Sequence, residues 1–251
     1  SRCKAVIVTT RGNQMNRFMF LTALLFSCTT PDNNPFCTTG ELDAFFVSRY
    51  EKKQTLQTRM ATHRVYSIDM DSMVGVGTGT VFDFEGTTIV LTAAHVVAAP
   101  NARVSIEVNG EFYSCEIVYF DKIADLAVLV PEFTTRLHPL PWKIAPAREM
   151  GIYDEVSYVG FPNNDAKLSV KGYISAVSEK GDYYLHSYAW SGASGSSVYD
   201  KNGKLLGVLI AIALGQGPVG MPVAIEDVVV VVPIWKLQED LLRFNIESLD
   251  K

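Results

Sequence analysis

From His63 onward the sequence is divided into short strand-like runs separated by turn residues, and this pattern restricts the fold more than any other feature. Runs rich in Val, Ile, Thr and aromatic residues, bounded by Gly, Asn, Asp and Pro, are typical of β-strands. Asn109-Gly110 and Asn202-Gly203 each predict a tight two-residue hairpin, because Asn and Gly adopt the positive φ angles that such turns require. The first predicted strands are Arg64–Asp69, Gly79–Phe84, Thr87–Thr92, Arg103–Val108, Glu111–Phe120 and Leu126–Val130.

A second series of strands follows a proline-rich break at Pro131–Met150. About six strands on each side of a break predict an all-β protein of two six-stranded antiparallel β-barrels. The tail Ile234–Phe244 has helical periodicity and predicts a closing C-terminal helix. The second series is Glu155–Gly160, Leu168–Ser178, Tyr183–Ser187, Ser196–Tyr199, Leu205–Leu214 and Val223–Val232.

These features divide the chain into six regions. An untranslated or disordered leader is expected at 1–14, a signal peptide at 15–28, and a tether with an N-terminal helix at 29–62. The first barrel is expected at 63–135, the second at 136–233, and the C-terminal helix and tail at 234–251.

Three short segments carry residues of chemical interest: LTAAHVV around His95, ADLAVL around Asp125, and SGASGSSV around Ser194. A histidine can act as general base, a carboxylate can orient it, and a serine in a glycine-flanked turn can act as nucleophile. The three together predict nucleophilic acyl transfer, and the order His, Asp, Ser is the one that chymotrypsin-type enzymes use.

Ser194 lies between Gly192 and Gly195, and glycine permits a tight turn that presents the hydroxyl. The backbone N–H groups of Gly192 and Ser194 are the candidates for an oxyanion hole. A plain Gly/Ser turn between strands is the alternative interpretation.

His95 and Asp125 each have rivals in the sequence. His63, His138 and His186 lack the small neighbours that would leave room for a substrate beside His95. Asp125 lies among apolar residues, where an unpaired carboxylate is costly, whereas Asp121 lies in a polar turn. Asp125 is therefore the expected partner of His95.

The segments TAAHVV, DLAVL and GASGSSV resemble those of chymotrypsin-fold (trypsin-like) serine proteases, especially bacterial and viral Deg-type and glutamyl-endopeptidase-like members. The stretch Gly77-Thr78-Gly79-Thr80-Val81 is similar to the glycine-containing strand that precedes the histidine segment in that family. The resemblance implies perpendicular barrels with His95 and Asp125 from the first and Ser194 from the second. After Pro233 the sequence has only a short predicted helix, so a PDZ-like domain is not expected.

The resemblance also implies a primary substrate pocket. Tyr188, six residues before the nucleophile, corresponds to the pocket base, where trypsin-like enzymes have Asp. Ala211 and Ala213, with Leu209 and Ile210 before them, are expected to line the pocket or, alternatively, to fill a barrel core. The pocket residues together predict an uncharged residue before the scissile bond (P1).

The N-terminal segment Met15–Cys28 reads as a signal peptide, with Arg17 before the apolar stretch Phe18–Phe26. Leu25-Phe26-Ser27-Cys28 resembles a bacterial lipobox, which would make Cys28 a lipid-anchored residue; an ordinary signal peptide is the alternative. Export to the periplasm, the cell exterior or a lipid anchor is therefore expected.

Charge and cysteine content exclude several other classes of function. A formal net charge of −5 without a dense Lys/Arg cluster does not favour nucleic-acid binding. No Cys/His cluster has metal spacing, so a zinc site is not expected, and the acyl-transfer chemistry of a serine, a histidine and an aspartate implies no metal or organic cofactor. Cys37 and Cys115 could pair in an oxidising compartment.

The leading hypothesis is an exported serine endopeptidase that acts on protein or peptide substrates. A latent or inactive protease fold that binds peptides is the second hypothesis. A cytoplasmic or viral processing protease, in which Phe18–Phe26 is a helix of the mature fold, is the third.

Overall fold

A computed structural model of the chain describes residues 53–68, 74–146, 150–216 and 222–249. The predicted leader and signal peptide, and residues 29–52 of the predicted tether and N-terminal helix, lie outside the described residues, as does Cys37. Cys115 is half-buried and bonds no other cysteine within the described residues, and burial raises the pKa of its thiol to about 12. No helix among the described residues has both the length and the apolar character needed to cross a membrane.

The first barrel is a closed antiparallel sheet of six strands in the order β1-β4-β5-β6-β3-β2, with β2 pairing back to β1. A short strand β7 adds to β2 in parallel, outside the closed ring. Helix α1 (Lys53–Ala61) leads into the barrel, and the single-turn helix α2 (Ala94–Val97) follows β3. The strands are β1 (Thr62–Ile68), β2 (Val74–Phe84), β3 (Thr87–Thr92), β4 (Arg103–Val108), β5 (Glu111–Asp121), β6 (Leu126–Pro131) and β7 (Leu140–Pro141).

The second barrel is also closed, with six antiparallel strands in the order β10-β13-β12-β11-β8-β9. A 3₁₀ helix, Pro162–Asn164, lies in the connection between the first two of its strands. The strands are β8 (Glu155–Gly160), β9 (Leu168–Val177), β10 (Tyr183–His186), β11 (Ser197–Asp200), β12 (Leu205–Gln216) and β13 (Pro222–Pro233).

The prediction of two six-stranded antiparallel barrels is confirmed. Most of the observed strands begin or end a few residues away from the predicted bounds. Strand β7 was missed because Leu140–Pro141 lies in the proline-rich break and forms only two pairs. The Asn109-Gly110 hairpin has both residues at positive φ, as expected.

The Asn202-Gly203 hairpin differs from its prediction. Only Gly203 has positive φ, at 76°, and the connection between β11 and β12 is longer than two residues. Asp200 explains the longer loop, because its Oδ1 accepts the N–H groups of both Asn202 and Lys204 at 2.8 Å. A side chain that bonds nearby backbone amides in this way stabilises an alternative to the two-residue turn.

The C-terminal segment forms two pieces instead of one helix over Ile234–Phe244. A 3₁₀ turn, Ile234–Lys236, is followed by Leu237 in an extended conformation and then by helix α3 (Glu239–Leu249). The acidic residues Glu239 and Asp240 occupy the first turn of α3, where they interact favourably with the helix dipole. Leu242 is fully buried, so the C-terminal helix does pack against the barrels as predicted.

Buried side chains from both barrels meet in one cluster. Tyr199, Leu205, Val208 and Val232 of the second barrel pack with the core of the first barrel. The barrels are therefore joined by a continuous apolar interior, which fixes the elements that carry the predicted site residues.

Candidate active site

His95 and Asp125 are held together at the ends of two paired strands. His95 lies in α2, directly after β3, and Asp125 directly precedes β6, which pairs with β3. The Asp125 carboxylate accepts two hydrogen bonds from His95: Oδ1 from the backbone N–H at 2.8 Å and Oδ2 from the ring Nδ1 at 2.7 Å. With Nδ1 donating to a carboxylate, Nε2 is the ring nitrogen that can accept a proton.

The backbone also fixes the Asp125 carboxylate. Asp125 adopts a left-handed conformation with φ of 56°, and its carbonyl accepts the N–H of Ala94 at 3.2 Å. The rival carboxylate has another role, because Asp121 Oδ1 accepts the N–H groups of Ile123 and Ala124 in the turn between β5 and β6.

The other histidines are engaged elsewhere. His63 is buried and its Nδ1 bonds the carbonyl of Glu107 at 3.2 Å. Burial, with a smaller contribution from nearby Lys167, lowers the pKa of His63 to about 4. His186 lies against the ring of Tyr173, and His138 is exposed.

Ser194 lies in the second of two consecutive turns, 190–193 and 193–196, which share Ala193 and together form the serine loop. The N–H of Ala193 donates to Trp190 O at 3.0 Å, and the N–H of Ser196 donates to Ala193 O at 3.1 Å. The third position of each turn is a glycine at positive φ, 92° for Gly192 and 89° for Gly195. Positive φ at this position is a requirement that glycine meets without strain.

The bonding of two carbonyls sets the direction of two backbone N–H groups in these turns. The carbonyl of Ser191 accepts the N–H of Asn163 at 2.6 Å, and the carbonyl of Ala193 accepts the amide and hydroxyl of Ser196. Because a trans peptide is planar, the N–H groups of Gly192 and Ser194 point away from those carbonyls. Neither N–H has an acceptor among the described residues, so both remain available as donors.

The histidine segment and the serine loop converge on Gly77 in β2. A side chain at Gly77 would lie 2.5 Å from Val96, next to His95, and 2.9 Å from the carbonyl of Ser194. A side chain at Gly195 would lie 2.0 Å from the carbonyl of Thr78. The close approach of these backbones places the serine loop directly on the first barrel.

The structure does not join all three predicted catalytic side chains by hydrogen bonds. The Ser194 hydroxyl donates to the carbonyl of Ile210 at 3.4 Å, and no hydrogen bond links it to His95 within the described ranges. A distance of 3.4 Å is long for a hydroxyl donor, so this bond is weak.

The predicted pocket residues are separated. Tyr188 is 41% exposed and lines a cavity of about 490 Å³ together with Tyr153, Tyr173 and Asp227. Ala211 and Ala213 are half-buried in β12 and do not line this cavity. This cavity therefore includes Tyr188 but neither of the two alanines.

Sequence analysis did not identify several residues that support the serine loop. The hydroxyl of Thr78 donates to the carbonyl of Gly192, and that of Ser196 donates to the carbonyl of Ala193. Arg64 in β1 donates to the carbonyls of Asn164 and Asp165, next to the residue that bonds Ser191. The only sequence signal was the glycine-containing stretch Gly77–Val81, which does not indicate where the hydroxyls point.

Two closed barrels, with a histidine–carboxylate pair on the first and a glycine-flanked serine on the second, define the chymotrypsin-like class of fold. The family model described as the trypsin-like peptidase domain matches residues 77–208. The match covers more than half of the chain, which therefore belongs to the trypsin-like peptidase domain family.

Solved structures of serine proteases share this fold. The serine endoprotease from Yersinia pestis is 24% identical, with a TM-score of 0.60 over 76% of this chain and 65% of its own. The HtrA-type protease AlgW with a tripeptide is 20% identical, with a TM-score of 0.62 over 76% of this chain and 63% of its own. The chain thus spans slightly less than two thirds of their length. Comparison with curated proteins found no significant match.

Proposed function

We propose that the protein is a serine endopeptidase in which Ser194 is the nucleophile, His95 the general base and acid, and Asp125 the residue that orients His95. The observation that carries this proposal is the pair of hydrogen bonds from His95 to Asp125, at 2.8 and 2.7 Å, on a barrel against which the Ser194 loop packs. Membership of the trypsin-like peptidase family supports the same assignment.

In the proposed reaction, His95 Nε2 removes the proton of the Ser194 hydroxyl as the oxygen attacks the scissile carbonyl carbon. The Asp125 carboxylate stabilises the imidazolium that forms, through the bond to Nδ1. His95 then donates the proton to the leaving amine, and water hydrolyses the acyl-enzyme by the reverse proton transfers.

The N–H groups of Gly192 and Ser194 are the proposed oxyanion hole. Support comes from the bonding of the neighbouring carbonyls, which leaves both N–H groups without an acceptor in the described part of the chain. Donors held in place before the reaction stabilise the tetrahedral oxyanion without reorganisation, and the loss of one such donor typically costs about 10²–10³ in rate.

The test is intact-mass detection of a fluorophosphonate adduct on the parent protein and on Ser194→Ala. A single adduct that disappears in the variant is expected if the hydroxyl of Ser194 is activated. Ser197→Ala is a matched control, because Ser197 is a buried serine three residues along that should not react. Labelling that persists in Ser194→Ala would overturn the assignment of the nucleophile.

A latent state is the second candidate, favoured by the bond from Ser194 Oγ to the carbonyl of Ile210 rather than to His95. In that case the protein binds peptides and hydrolyses them only after Ser194 rotates toward His95. Well-folded parent protein that binds peptides but gives no adduct would support the latent state and contradict the proposal of a constitutively active enzyme.

We also propose that the P1 residue is uncharged, because Tyr188 occupies the position where trypsin-like enzymes have Asp. Profiling with matched substrates that carry Leu, Phe, Lys or Glu at P1 tests this directly. A preference for Lys would contradict it and would implicate Asp227 or Glu155, the two exposed carboxylates that line the cavity beside Tyr188.

Export is proposed from the sequence of residues 15–28, with Cys28 as the candidate lipid attachment site. The N-terminus and mass of protein recovered from a secreting bacterial host test both parts. Retention of Met15–Ser27 would contradict export through a signal peptide, and a mature chain that begins elsewhere without lipid would contradict the anchor.

A further inference from the structure

Thr78 connects the first barrel to the loop that carries Ser194. Its N–H donates to the carbonyl of Ser194 at 2.8 Å, and its hydroxyl donates to the carbonyl of Gly192 at 2.8 Å. The same hydroxyl accepts the N–H of Phe161 at 3.2 Å, at the start of the connection between β8 and β9. One residue of the first barrel thus bonds both sides of the serine loop and the neighbouring loop of the second barrel.

The hydroxyl of Thr78 has a single orientation. It is fully buried, and it must donate to Gly192 while it accepts from Phe161. Its β-branched side chain has restricted χ1 freedom. The carbonyl of Thr78 is also engaged, since it accepts the hydroxyl of Thr92 at 2.8 Å. Thr78 is therefore a rigid support and not an adaptable one.

The two bonded carbonyls belong to the peptides that directly follow Gly192 and Ser194, the two residues whose N–H groups form the proposed oxyanion hole. Ser194–Gly195 is the central peptide of the second turn, and the Thr78 N–H prevents it from flipping. Gly192 has the most permissive backbone in the first turn, and the Thr78 hydroxyl holds its carbonyl. Thr78 thus fixes the peptides that follow Gly192 and Ser194, while Asn163 and Ser196 bond the carbonyls of the peptides that carry the two N–H groups, and together these bonds keep the N–H groups of Gly192 and Ser194 in a common direction.

We propose that Thr78 is a positioning residue that keeps the N–H groups of Gly192 and Ser194 aligned on the oxyanion. This inference rests on the proposed serine endopeptidase function. Because Thr78 is fully buried, it acts through the loop, and we expect its loss to lower kcat and to leave KM nearly unchanged. The geometry assigns the effect to the hydroxyl, because any residue supplies the backbone N–H.

The test compares Thr78→Val, Thr78→Ser and Thr80→Val. Valine has the shape of threonine without the hydroxyl, and serine retains the hydroxyl. Thr80 is the matched control: it lies two residues along β2 and is equally buried, but its hydroxyl lies beside that of Tyr199 and bonds no carbonyl of the serine loop within the described residues.

For Thr78→Val we expect kcat to fall about 10- to 100-fold, part of the about 10²–10³-fold cost of losing an oxyanion donor. Affinity for a peptide boronate, whose oxygen occupies the oxyanion hole, should fall by a similar factor. Thr78→Ser should restore most of kcat, and Thr80→Val should resemble the parent. Equal kcat in Thr78→Val and Thr80→Val, or a change in KM alone, would overturn the inference.

A second measurement does not depend on activity. Hydrogen-exchange mass spectrometry of the peptide that spans residues 188–197 should show faster exchange in Thr78→Val than in Thr80→Val at equal global stability. If the parent gives no Ser194-dependent adduct, the proposed function fails, and loop exchange alone decides the role of Thr78. If the parent is active and the loop exchanges equally in both variants, only the Thr78 inference fails.

Discussion

The two halves of the candidate site are stabilised in different ways. His95 and Asp125 bind each other directly, at the ends of adjacent strands within one barrel. Ser194 lies in a loop of the second barrel whose carbonyls are bonded by Thr78 of the first barrel and by Asn163. The histidine half therefore depends on contacts within its own barrel, whereas the serine half depends on contacts with the other barrel as well as with its own.

The largest expected effect comes from breaking the histidine half with Asp125→Asn. The carboxylate offers two acceptor oxygens to His95, but asparagine offers only one. An amide NH₂ opposite Nδ1 favours the tautomer in which Nε2 carries the proton and cannot act as a base. We expect kcat to fall about 10⁴-fold, measured as steady-state peptide hydrolysis.

Asp121→Asn is the control for this change. Asp121 uses one oxygen, Oδ1, to accept the N–H groups of Ile123 and Ala124, and asparagine retains an acceptor there. Its activity should remain close to that of the parent. A large loss in Asp121→Asn, or none in Asp125→Asn, would contradict the assignment of Asp125.

The serine half should be most sensitive to Gly195→Ala. The new methyl group would lie 2.0 Å from the carbonyl of Thr78, and the residue would keep a φ of 89°. Left-handed strain and overpacking together predict a loss of about 2–5 kcal/mol in the free energy of unfolding, with loss of fluorophosphonate labelling. Urea denaturation with labelling at each denaturant concentration measures both effects.

Comparison with Gly110→Ala separates the cost of left-handed backbone strain from the cost of the close contact in Gly195→Ala. Gly110 has a similar φ of 83°, but a methyl group there would meet nothing within 4 Å. It should cost only the conformational strain, about 1–2 kcal/mol. An equal loss in the two variants would mean that the packing of the serine loop on Thr78 contributes little.

Protonation of His63 in β1 at low pH should lower the free energy of unfolding, because the charged imidazole would be buried where α1 and β1 meet the second barrel. Burial first, and then nearby Lys167 and His138, lower its pKa to about 4, while the carbonyls of Glu107 and Met60 act in the opposite direction. The unfolded chain binds this proton below its ordinary pKa of 6.5, so stability is complete above about 6.5 and declines toward about 4. The lowered pKa of His63 corresponds to a loss of about 3 kcal/mol in the free energy of unfolding over this pH range.

Denaturation of the parent and of His63→Gln between pH 7 and pH 4 tests this. Glutamine can still donate to the carbonyl of Glu107 but has no proton to take up, so the variant should lose less stability over that range. Parallel pH profiles of the two proteins would show that other groups are responsible for acid sensitivity.

Sequence reasoning identified the fold because hydrophobic alternation and turn residues specify local structure, and the strands repeat along the chain. It proposed His95, Asp125 and Ser194 because reactive side chains in apolar or glycine-rich settings are unusual. It missed Thr78 because a buried threonine in a strand has no local pattern that marks its role. The bond to Gly192 joins residues 114 positions apart, and only the packed barrels bring them together.

The smallest expected effect comes from Thr92→Val, which removes the hydroxyl that bonds the carbonyl of Thr78. The Thr92 hydroxyl donates to the Thr78 carbonyl, and both residues are fully buried. Pairing of Thr78 with Arg64 in β1 still fixes the backbone of Thr78, so the serine loop should keep its position. We expect a loss of about 1 kcal/mol in the free energy of unfolding, typical of one hydrogen bond, with kcat nearly unchanged. If kcat instead fell as far as in Thr78→Val, the serine half would depend on the whole strand arrangement of the first barrel and not on one hydroxyl.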